Sequence, residues 1–369
     1  MTQSLGLSIL VLLVLLLGTV ACRSEASPWS TAKPTAHQPE NEDQWGVATV
    51  TPVSPGTTPV PSTVTVSPVM SSPVSTASPS ATMTPLPPLS GSGGGVIAFQ
   101  SDRDRQDEIY VMNADGSDQR LLISNRWALD SMPAWSPDGG QIAFASRDRG
   151  RDFEICVVSV TDDLQGIEGE ASRYLTDNDY DDLLPTWSAD GTQIAFFSKL
   201  DSYTDIYVIN VDGTDESQLT NNSANDEDPA WSPDCTQSAF ISRRDGDYEI
   251  YVMKPDGTDS RPLTDNNTNE WSPAWSPDGA QIAFISDRNG ERHLFVMGAD
   301  GSNPRRLTDA SYPWNDDPAW SPDGTRIAFR SNRGGYVDVY VINADGDSLP
   351  QQLTHNAESD QDRAPAWRH

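Results

Sequence analysis

The stretch PAWSPDGAQIAFISDRNGERHLFVMGADGSNPRRLT, residues 273–308, carries the pattern that decides the fold of this 369-residue chain. Its apolar segments are short, and turns separate them. Ser276-Pro277-Asp278-Gly279 has a proline where φ must be near −65°, and Ala299-Asp300-Gly301-Ser302 has the glycine of a hairpin turn. The spacing predicts four short strands, at 273–275, 281–286, 293–297 and 305–308.

This pattern recurs six times along the chain. The tryptophan of Pro-Ala-Trp, or of a near variant, stands at Trp135, Trp187, Trp231, Trp275, Trp320 and Trp367, with spacings of 52, 44, 44, 45 and 47. An Ala-Phe pair recurs in step with it. Four strands in a repeat of about 45 residues are typical of a propeller blade, whereas ankyrin or tetratricopeptide repeats would need helical periodicity. We therefore predict an all-β, six-bladed β-propeller with four antiparallel strands per blade.

The two ends of the repeat region complement each other. The copy that starts at Val96 lacks a Pro-Ala-Trp strand, and the chain ends at Trp367 without the strands that should follow it. We expect the C-terminal strand to complete the blade begun at Val96, which would close the ring and hide its edges.

The repeated Trp-Ser-Pro-Asp-Gly, Ile-Ala-Phe, Ile-Tyr-Val-Met and Asp-Gly signatures resemble the TolB-type, WD40-like six-bladed β-propellers. The resemblance covers residues 96–369. Departures occur in the turns at 188–191 and 232–235, and extra residues lie at 162–170. TolB also has an N-terminal α/β domain that the resemblance does not cover, so its role in the cell envelope is not carried over.

The N-terminus is predicted to be an export signal at residues 1–21. An apolar run of 17 residues, 5–21, ends at Thr19-Val20-Ala21-Cys22, which resembles the bacterial lipobox whose cysteine is acylated. Lipid attachment at Cys22 is the preferred interpretation, with an uncleaved anchor helix or ordinary secretion as alternatives. Each of these would place the following domain outside a bacterial membrane, and the first would anchor it to the outer face of that membrane.

Residues 22–95 are predicted to form a disordered tether. Pro, Ser and Thr make up 27 of the 40 residues from 51 to 90. Such a segment samples polyproline II and buries little, so forty residues could hold the propeller about 100 Å from a membrane. The organisation expected is thus a signal at 1–21, a tether at 22–95 and a TolB-like propeller at 96–369.

The net charge of −30 excludes one large class of partners. A nucleic-acid-binding protein needs a basic face, so DNA and RNA are poor candidates. Nearly all of the charge lies on the propeller, because residues 1–95 contain two basic and four acidic residues.

An acid stands three residues before the proline of the Pro-Ala-Trp strand in five repeats, and an asparagine stands there in the sixth. The positions are Asp130, Asp182, Asp226, Glu270, Asn315 and Asp362. We call the face with the Ser-Pro-Asp-Gly and Asp-Gly turns the lower face, and the face with the loops that lead into Pro-Ala-Trp the upper face. Because innermost strands line the channel of a propeller, we expect these side chains to form a ring near its upper mouth. Two interpretations stay open: capping and solvation of the strand starts, or a site for Ca²⁺ or a cationic peptide. No other cofactor is predicted.

Aromatic residues break the repeat pattern in the same upper loops: Trp127, Tyr180, Trp271, Tyr312 and Trp314. They suit sugar stacking or a protein interface, with packing between loops as the alternative. Cys156 replaces the usual tyrosine of a third strand and is expected to be buried.

The sequence favours a binding or scaffold module in the bacterial cell envelope, with a protein, peptide or glycan as partner at the upper face. We expect it to be a monomer. The alternative is an envelope hydrolase or lyase that acts on peptides or carbohydrate through upper-face carboxylates. We find no Gly-x-Ser-x-Gly elbow, and the two propeller histidines, His293 and His355, lie in separate repeats.

Overall fold

The computed structural model describes residues 95–369, apart from 126, 149–150, 165, 169–171, 201, 310–313, 357–359 and 369. The predicted signal, Cys22 and the tether lie outside these residues. Within the described part of the chain, no helix has the length and apolar character needed to cross a membrane.

In the described part of the chain, twenty-five strands make six sheets. We name each blade for the tryptophan of its innermost strand. The first three strands are β1 (Val96–Ser101), β2 (Glu108–Asn113) and β3 (Arg120–Ser124). The Trp135 blade contains β4 (Ala128–Trp135), β5 (Gln141–Asp148), β6 (Glu154–Ser159) and β8 (Arg173–Tyr174), with β7 (Ile167–Glu168) between the last two in sequence. The Trp187 blade contains β9 (Asp182–Trp187), β10 (Gln193–Ser198), β11 (Asp205–Asn210) and β12 (Ser217–Gln218).

The remaining strands follow the same order. The Trp231 blade contains β13 (Asp226–Trp231), β14 (Ser238–Ser242), β15 (Glu249–Met253) and β16 (Arg261–Pro262). The Trp275 blade contains β17 (Glu270–Trp275), β18 (Gln281–Ser286), β19 (His293–Gly298) and β20 (Arg305–Arg306). The Trp320 blade contains β21 (Asn315–Trp320), β22 (Arg326–Ser331), β23 (Asp338–Asn343) and β24 (Gln351–Gln352), and β25 (Asp362–Trp367) ends the series.

The six-bladed fold and its closure are confirmed. Strand β25 pairs antiparallel with β1, with Ile97 opposite Trp367 and Ser101 opposite Asp362. One blade is thus assembled from both ends of the propeller sequence, and we call it the Trp367 blade. Its sheet order is β25-β1-β2-β3-β7, so it has a fifth strand that the repeat pattern did not predict.

The fifth strand comes from the extra residues of the neighbouring repeat. Strand β7 lies parallel to β3, with Ile167 opposite Ile123. Leu164, just before it, is buried in the cluster that joins the two blades, and the Arg120 guanidinium donates to the Asp163 carbonyl at 3.0 Å. The insertion therefore fastens the Trp135 blade to the closing blade.

The Ser-Pro-Asp-Gly segments are turns, as predicted. In the first of them, Ser136 donates to the Asp138 carboxylate at 2.6 Å, and the Gly140 amide donates to the same oxygen at 2.9 Å. The turn proline also reaches the next blade: a Cβ on Gly279 would lie 3.3 Å from Pro233, and φ there is 69°. The turn sequence thus serves packing between blades as well as chain reversal.

The apolar core lies between the blades. The phenylalanine of each Ala-Phe pair is at most 1% exposed, and in five blades it packs against an aromatic residue of the third strand, as Phe284 does against Phe295 at 5.6 Å between ring centroids. In the Trp135 blade the residue opposite Phe144 is Cys156. Cys156 is fully buried, as expected, and burial raises the pKa of its thiol.

A β-bulge interrupts every innermost strand just before its proline. The register between first and second strand shifts there in all six blades. The residue before the proline has φ between 46° and 56° in each case, although none is glycine: Met132, Leu184, Asp228, Ser272, Asp317 and Ala364. A bulge re-aims a side chain, and these six side chains line the central channel.

Candidate binding site in the central channel

The six residues that start the innermost strands lie inside the blades. Asp130, Asp182, Asp226, Glu270, Asn315 and Asp362 are each at most 1% exposed. None of them lines the cavities of the channel. The prediction that they line it therefore needs correcting, and any role for them in binding a ligand stays a prediction.

In the Trp275 blade, the residue that starts the innermost strand is Glu270, and an arginine of the same blade, Arg288, binds it. The Arg288 guanidinium donates to the Glu270 carboxylate at 3.1 Å and to Ser286 Oγ at 2.9 Å. The same guanidinium lies 5.3 Å from the Phe284 ring centroid and 4.7 Å from that of Phe295. We call this set of contacts the arginine clasp. It combines a charge-assisted hydrogen bond with cation–π contacts, so the buried carboxylate has a partner.

The clasp occurs in four blades. Arg103 binds Asp362, Arg244 binds Asp226, Arg288 binds Glu270 and Arg333 binds Asn315. In each case the arginine follows the serine that ends the second strand by two positions, and it lies over the two aromatic rings of its blade.

Among the residues that the structure describes, two adjacent blades show no such clasp. The position of the arginine is occupied by Asp148 in the Trp135 blade and by Leu200 in the Trp187 blade. Asp130 accepts from Ser146 at 2.6 Å through one oxygen, while its other oxygen is buried without a hydrogen bond; one oxygen of Asp182 is in the same state. Burial raises the pKa of Asp130 to about 7 and also raises that of Asp182.

The residues that line the channel stand two positions further along the chain. They are Met132, Leu184, Asp228, Ser272, Asp317 and Ala364, and with the prolines that follow them they line a cavity of about 150 Å³ in the channel, which we call the waist. In a regular strand these residues would share a face with the residues that start the strand, but the bulge between the two positions puts them on different faces. Sequence reasoning missed them because it did not predict the bulge. The recurring proline was the available signal, since it marks where each strand departs from regular geometry.

Carboxylates form one wall of the waist. Asp228 accepts from the Ser272 amide of the next blade at 3.0 Å, and Asp317 accepts from the Ala364 amide of the next blade at 3.1 Å. Burial and the nearby charges of Glu227 and Asp316 raise the pKa of Asp228 to about 7. Burial also raises the pKa of Asp317 to about 6, although the neighbouring Arg330 acts in the opposite direction.

Apolar side chains form the opposite wall. Met132 and Leu184 come from the Trp135 and Trp187 blades, which are the two that lack the clasp. The waist thus presents hydrocarbon on one side and carboxylate oxygens on the other. A ligand that fills it needs an apolar face and a hydrogen-bond donor or cation on the opposite face.

A second cavity, of about 340 Å³, adjoins the waist on the side of the upper face, and we call it the funnel. Asp316 is one of its lining residues, and its carboxylate lies 3.1 Å from Arg292 and 2.9 Å from Arg330. Arg292 lies 4.0 Å from the centroid of the Trp271 ring, and Arg330 lies 4.8 Å from that of Trp314. Two of the predicted upper aromatics therefore belong to one charged network around Asp316.

The other predicted aromatics do not join this network. Trp127, just before the Trp135 blade, is 62% exposed. Tyr180 is partly buried in the loop that leads into the Trp187 blade, where its amide donates to Asn178 at 2.8 Å. Tyr312 lies outside the described residues. Among the described residues no group of three or more His, Cys, Asp or Glu side chains is arranged to hold a metal ion.

The sequence pattern that defines the TolB beta propeller domain matches residues 159–272 and 262–368, more than half of the chain. The chain belongs to the TolB beta-propeller family. In this TolB propeller, the repeat supplies the turns and the core, and in four blades the clasp. The waist and funnel residues differ from blade to blade.

Solved structures share the same fold at low identity. TolB from Acinetobacter baumannii has a TM-score of 0.64 and 21% identity over 76% of this chain and 68% of its own. A TolB candidate from Agrobacterium tumefaciens has a TM-score of 0.56 and 23% identity over 71% and 90%, respectively. Hydrazine synthase from Kuenenia stuttgartiensis has a TM-score of 0.61 and 17% identity over 75% of this chain and 47% of its own. At these identities the likeness concerns the fold alone.

Proposed function

We propose that this protein is an exported envelope module that binds a protein partner at the funnel and waist, over the Trp135 and Trp187 blades. A glycan is the alternative ligand that its aromatics would suit. The observation that carries the proposal is that these two adjacent blades depart from the repeat together. Both lack the arginine clasp, and both supply apolar side chains, Met132 and Leu184, to the waist.

The distribution of exposed apolar side chains also favours a binding surface at the Trp135 and Trp187 blades. Six large hydrophobic residues are exposed in the described part of the chain, and four belong to these two blades or to the loop before them: Trp127, Tyr174, Leu200 and Tyr203. Scattered exposed hydrophobics are ordinary, but a concentration in two neighbouring repeats is typical of an interaction surface. Aromatic residues of this kind dominate the binding energy of protein interfaces.

The chemistry of the waist suggests what the partner presents. A partner segment that places an apolar side chain against Met132 and Leu184 would bring its neighbouring residue to Asp228 and Asp317. A lysine or arginine there would meet two carboxylates in a partly desolvated site, where a charge pair contributes strongly to specificity. We therefore propose a partner segment with a basic residue beside an apolar one.

The N-terminal organisation fits this function and stays a proposal. Lipid attachment at Cys22 and a tether at 22–95 would hold the propeller away from a membrane as a monomer. The tether joins the propeller at Gly95, whose carbonyl accepts from the Ala114 amide at the Asp-Gly turn of the lower face.

The alternative of a hydrolase or lyase would need accessible carboxylates. Asp182 and Glu270, two of the predicted upper-face carboxylates, are both fully buried. Glu270 accepts from Arg288 and Ser286, so its lone pairs are already used within the blade. The geometry favours binding over catalysis at these two positions.

The test is affinity capture from the native envelope with the full chain as bait. Leu184→Glu should lose the captured partner, because it places a charge on the apolar wall and beside Asp228. Leu349→Glu is the matched control: Leu349 is 81% exposed in the Trp320 blade, so that variant should capture as wild type does. Melting curves would show that both variants fold.

An identical set of captured proteins for wild type, Leu184→Glu and Asp228→Asn would overturn the proposal. The enzyme alternative has its own outcome: turnover of a peptide or polysaccharide panel that Asp182→Asn abolishes. A purified partner that binds without turnover, and whose affinity falls at least tenfold with Leu184→Glu, would support the binding function.

A further inference from the structure

The Trp187 blade keeps the groups that surround the guanidinium of a clasp, although Leu200 stands at the arginine position. Ser198 lies opposite Asp182 in the strand register, which is the arrangement of the clasped Trp275 blade. The rings of Phe196 and Tyr207 are stacked, with 5.9 Å between their centroids. The carboxylate, the serine and both rings that a guanidinium contacts in a clasp are therefore present.

The ring pair of this blade is less covered than the ring pairs of the clasped blades. Tyr207 is 8% exposed, whereas the corresponding rings beneath an arginine are 3% to 5% exposed: Tyr110, Tyr251, Phe295 and Tyr340. Leu200 is exposed and has no side-chain donor, so it supplies neither the cation–π contact nor the hydrogen bond of a clasp.

One oxygen of the Asp182 carboxylate lacks the bond that an arginine makes in the clasped blades. Asn178 donates to Oδ2 at 2.8 Å, and Oδ1 is buried without a hydrogen bond, which costs free energy. In the clasped Trp231 blade, Asp226 accepts from Asn222 through Oδ2 and from Arg244 through both oxygens. The unpaired oxygen of Asp182 thus corresponds to the one that only the arginine reaches in Asp226.

A second carboxylate stands where the clasp has a neutral acceptor. In two clasped blades, the residue just before the fourth strand accepts from the clasp arginine, Gln119 at 2.9 Å and Ser260 at 3.2 Å. In the Trp187 blade this residue is Glu216, directly before β12. Partial burial and the charge of Asp182 raise the pKa of Glu216. Two carboxylates therefore face the position that a guanidinium occupies elsewhere, and a cation there would relieve their repulsion.

We propose that the Trp187 blade binds the guanidinium group of an arginine side chain from the protein partner, between the carboxylates of Asp182 and Glu216 and over the stacked rings. The partner's arginine would complete the clasp. Arginine suits this site better than lysine, because its planar group bonds two carboxylates at once and stacks on aromatic rings. The Trp135 blade does not offer the same site, since Cys156 replaces one ring and Asp148 stands at the arginine position.

The inference deepens the proposed function and rests on it for the source of the arginine. In three clasped blades the arginine side chain is 24% to 27% exposed, so the guanidinium position is reached from solvent. The Lys199 amide donates to the Asp181 carbonyl at 3.3 Å, which holds this loop beside the start of the innermost strand on the upper face. A partner that covers the exposed Leu200 and Tyr203 would therefore pass over the site.

The first experiment titrates the full chain, ¹³C-labelled in its tyrosine rings, with N-acetylarginine amide. The ring signals of Tyr207 should shift, whereas those of Tyr336, an exposed ring of the Trp320 blade, should not. N-acetyllysine amide should shift Tyr207 less, by about threefold or more. Glu216→Gln should weaken binding of the arginine amide by about threefold or more, because it removes one of the two charges. Leu200→Arg, which supplies a guanidinium from the chain itself, should abolish the shift.

Leu349→Arg is the matched control for that substitution, because it adds an arginine at an exposed position of another blade. It should leave the Tyr207 titration as in wild type. Equal Tyr207 shifts with the arginine and lysine amides would overturn the proposal. A Tyr207 titration in Leu200→Arg that matches wild type would also overturn it, provided that melting curves show both variants to be folded.

The second experiment determines whether the partner supplies the arginine. N-acetylarginine amide should elute the captured partner from the full-chain bait at concentrations at which N-acetyllysine amide does not, and Leu200→Arg should reduce the capture. If capture is lost with Leu184→Glu but affected by neither the arginine amide nor Leu200→Arg, this inference fails and the proposed function stands. If the arginine amide binds beside Tyr207 but wild type captures no partner, the proposed function fails, and the partner as the source of the arginine fails with it.

Discussion

The Trp275 and Trp187 blades have the same architecture and the same loop length after the second strand. They differ in the partners of the buried carboxylate that starts the innermost strand, which is Glu270 in one blade and Asp182 in the other. In the Trp275 blade, Arg288 binds Glu270 and lies over two aromatic rings. In the Trp187 blade, Leu200 stands at the arginine position and is 40% exposed, and one oxygen of Asp182 is buried without a hydrogen bond.

Stability alone does not explain why the arginine of the clasp is absent from the Trp187 blade. An unpaired buried carboxylate oxygen costs free energy, and an exposed leucine gains none. Since four blades show that the arginine fits, its loss in two adjacent blades indicates another constraint on that sector. The same two blades supply Met132 and Leu184 to the waist, so the constraint coincides with the proposed binding site.

We expect the largest loss of stability when the innermost strand of a blade that has the clasp is removed. Deletion of residues 363–369 removes Trp367, which is 3% exposed, and most of the strand that pairs with β1. Loss of one buried tryptophan costs about 3 to 5 kcal/mol, and loss of the strand costs more, so Tm should fall by at least about 10 °C. Calorimetry measures this, with deletion of residue 369 alone as control. An unchanged melting curve would contradict closure by β25.

Closure illustrates what the sequence could predict. The strand missing before Val96 and the one left over at Trp367 were enough to infer the ring, and the observed β18 has the predicted bounds of Gln281–Ser286. The fifth strand of the Trp367 blade was not predictable in the same way, because β7 is a two-residue parallel pairing contributed by an insertion. Nothing local in such a short segment specifies its neighbour.

The next largest loss of stability is expected when only the arginine of one clasp is replaced. Arg288→Leu makes the Trp275 blade resemble the Trp187 blade and leaves Glu270 without its charged partner. Because the Arg288 side chain is 24% exposed, we expect a loss of about 2 kcal/mol, at the low end for a broken buried pair. Denaturant titration measures it. Lys254→Met removes an exposed ion pair and should leave stability unchanged. Equal losses for both variants would argue against a special role for the clasp.

The blades without a clasp should also shape the pH dependence of stability. Burial raises the pKa of Asp130 from 3.8 to about 7, so the unfolded chain releases this proton at lower pH than the folded chain does. Stability should therefore decline as pH rises from about 4 to 7. The raised pKa of Asp228, about 7, acts in the same direction. Asp130→Asn should reduce this decline in Tm, whereas a profile as steep as that of wild type would contradict the assignment.

The candidate site was harder to predict than the fold for a physical reason. The rule that inner strands line the channel is sound, but the bulge before each proline moves the lining residues two positions from the strand start. Asp228 and Asp317 stand in the channel, whereas Asp226 and Asn315 face the arginine of their own blade. The acidic residue that recurs at the strand starts therefore has a structural role in the blades. The candidate site consists instead of positions whose residue type changes from blade to blade.

The smallest expected effect is a gain in stability, and it tests directly whether the missing arginine explains the difference between the Trp187 and Trp275 blades. Leu200→Arg restores the clasp in the Trp187 blade, where Ser198, Phe196 and Tyr207 are already in place. The guanidinium would supply the missing donor to Asp182, so we expect a gain of about 1 kcal/mol, measured by denaturant titration. The same variant should weaken capture of the partner, because it removes an exposed apolar side chain from the proposed sector. Leu349→Arg, at a position 81% exposed in a clasped blade, should do neither. If Leu200→Arg gained stability and captured the partner as well as wild type, the missing clasp would have no connection with binding.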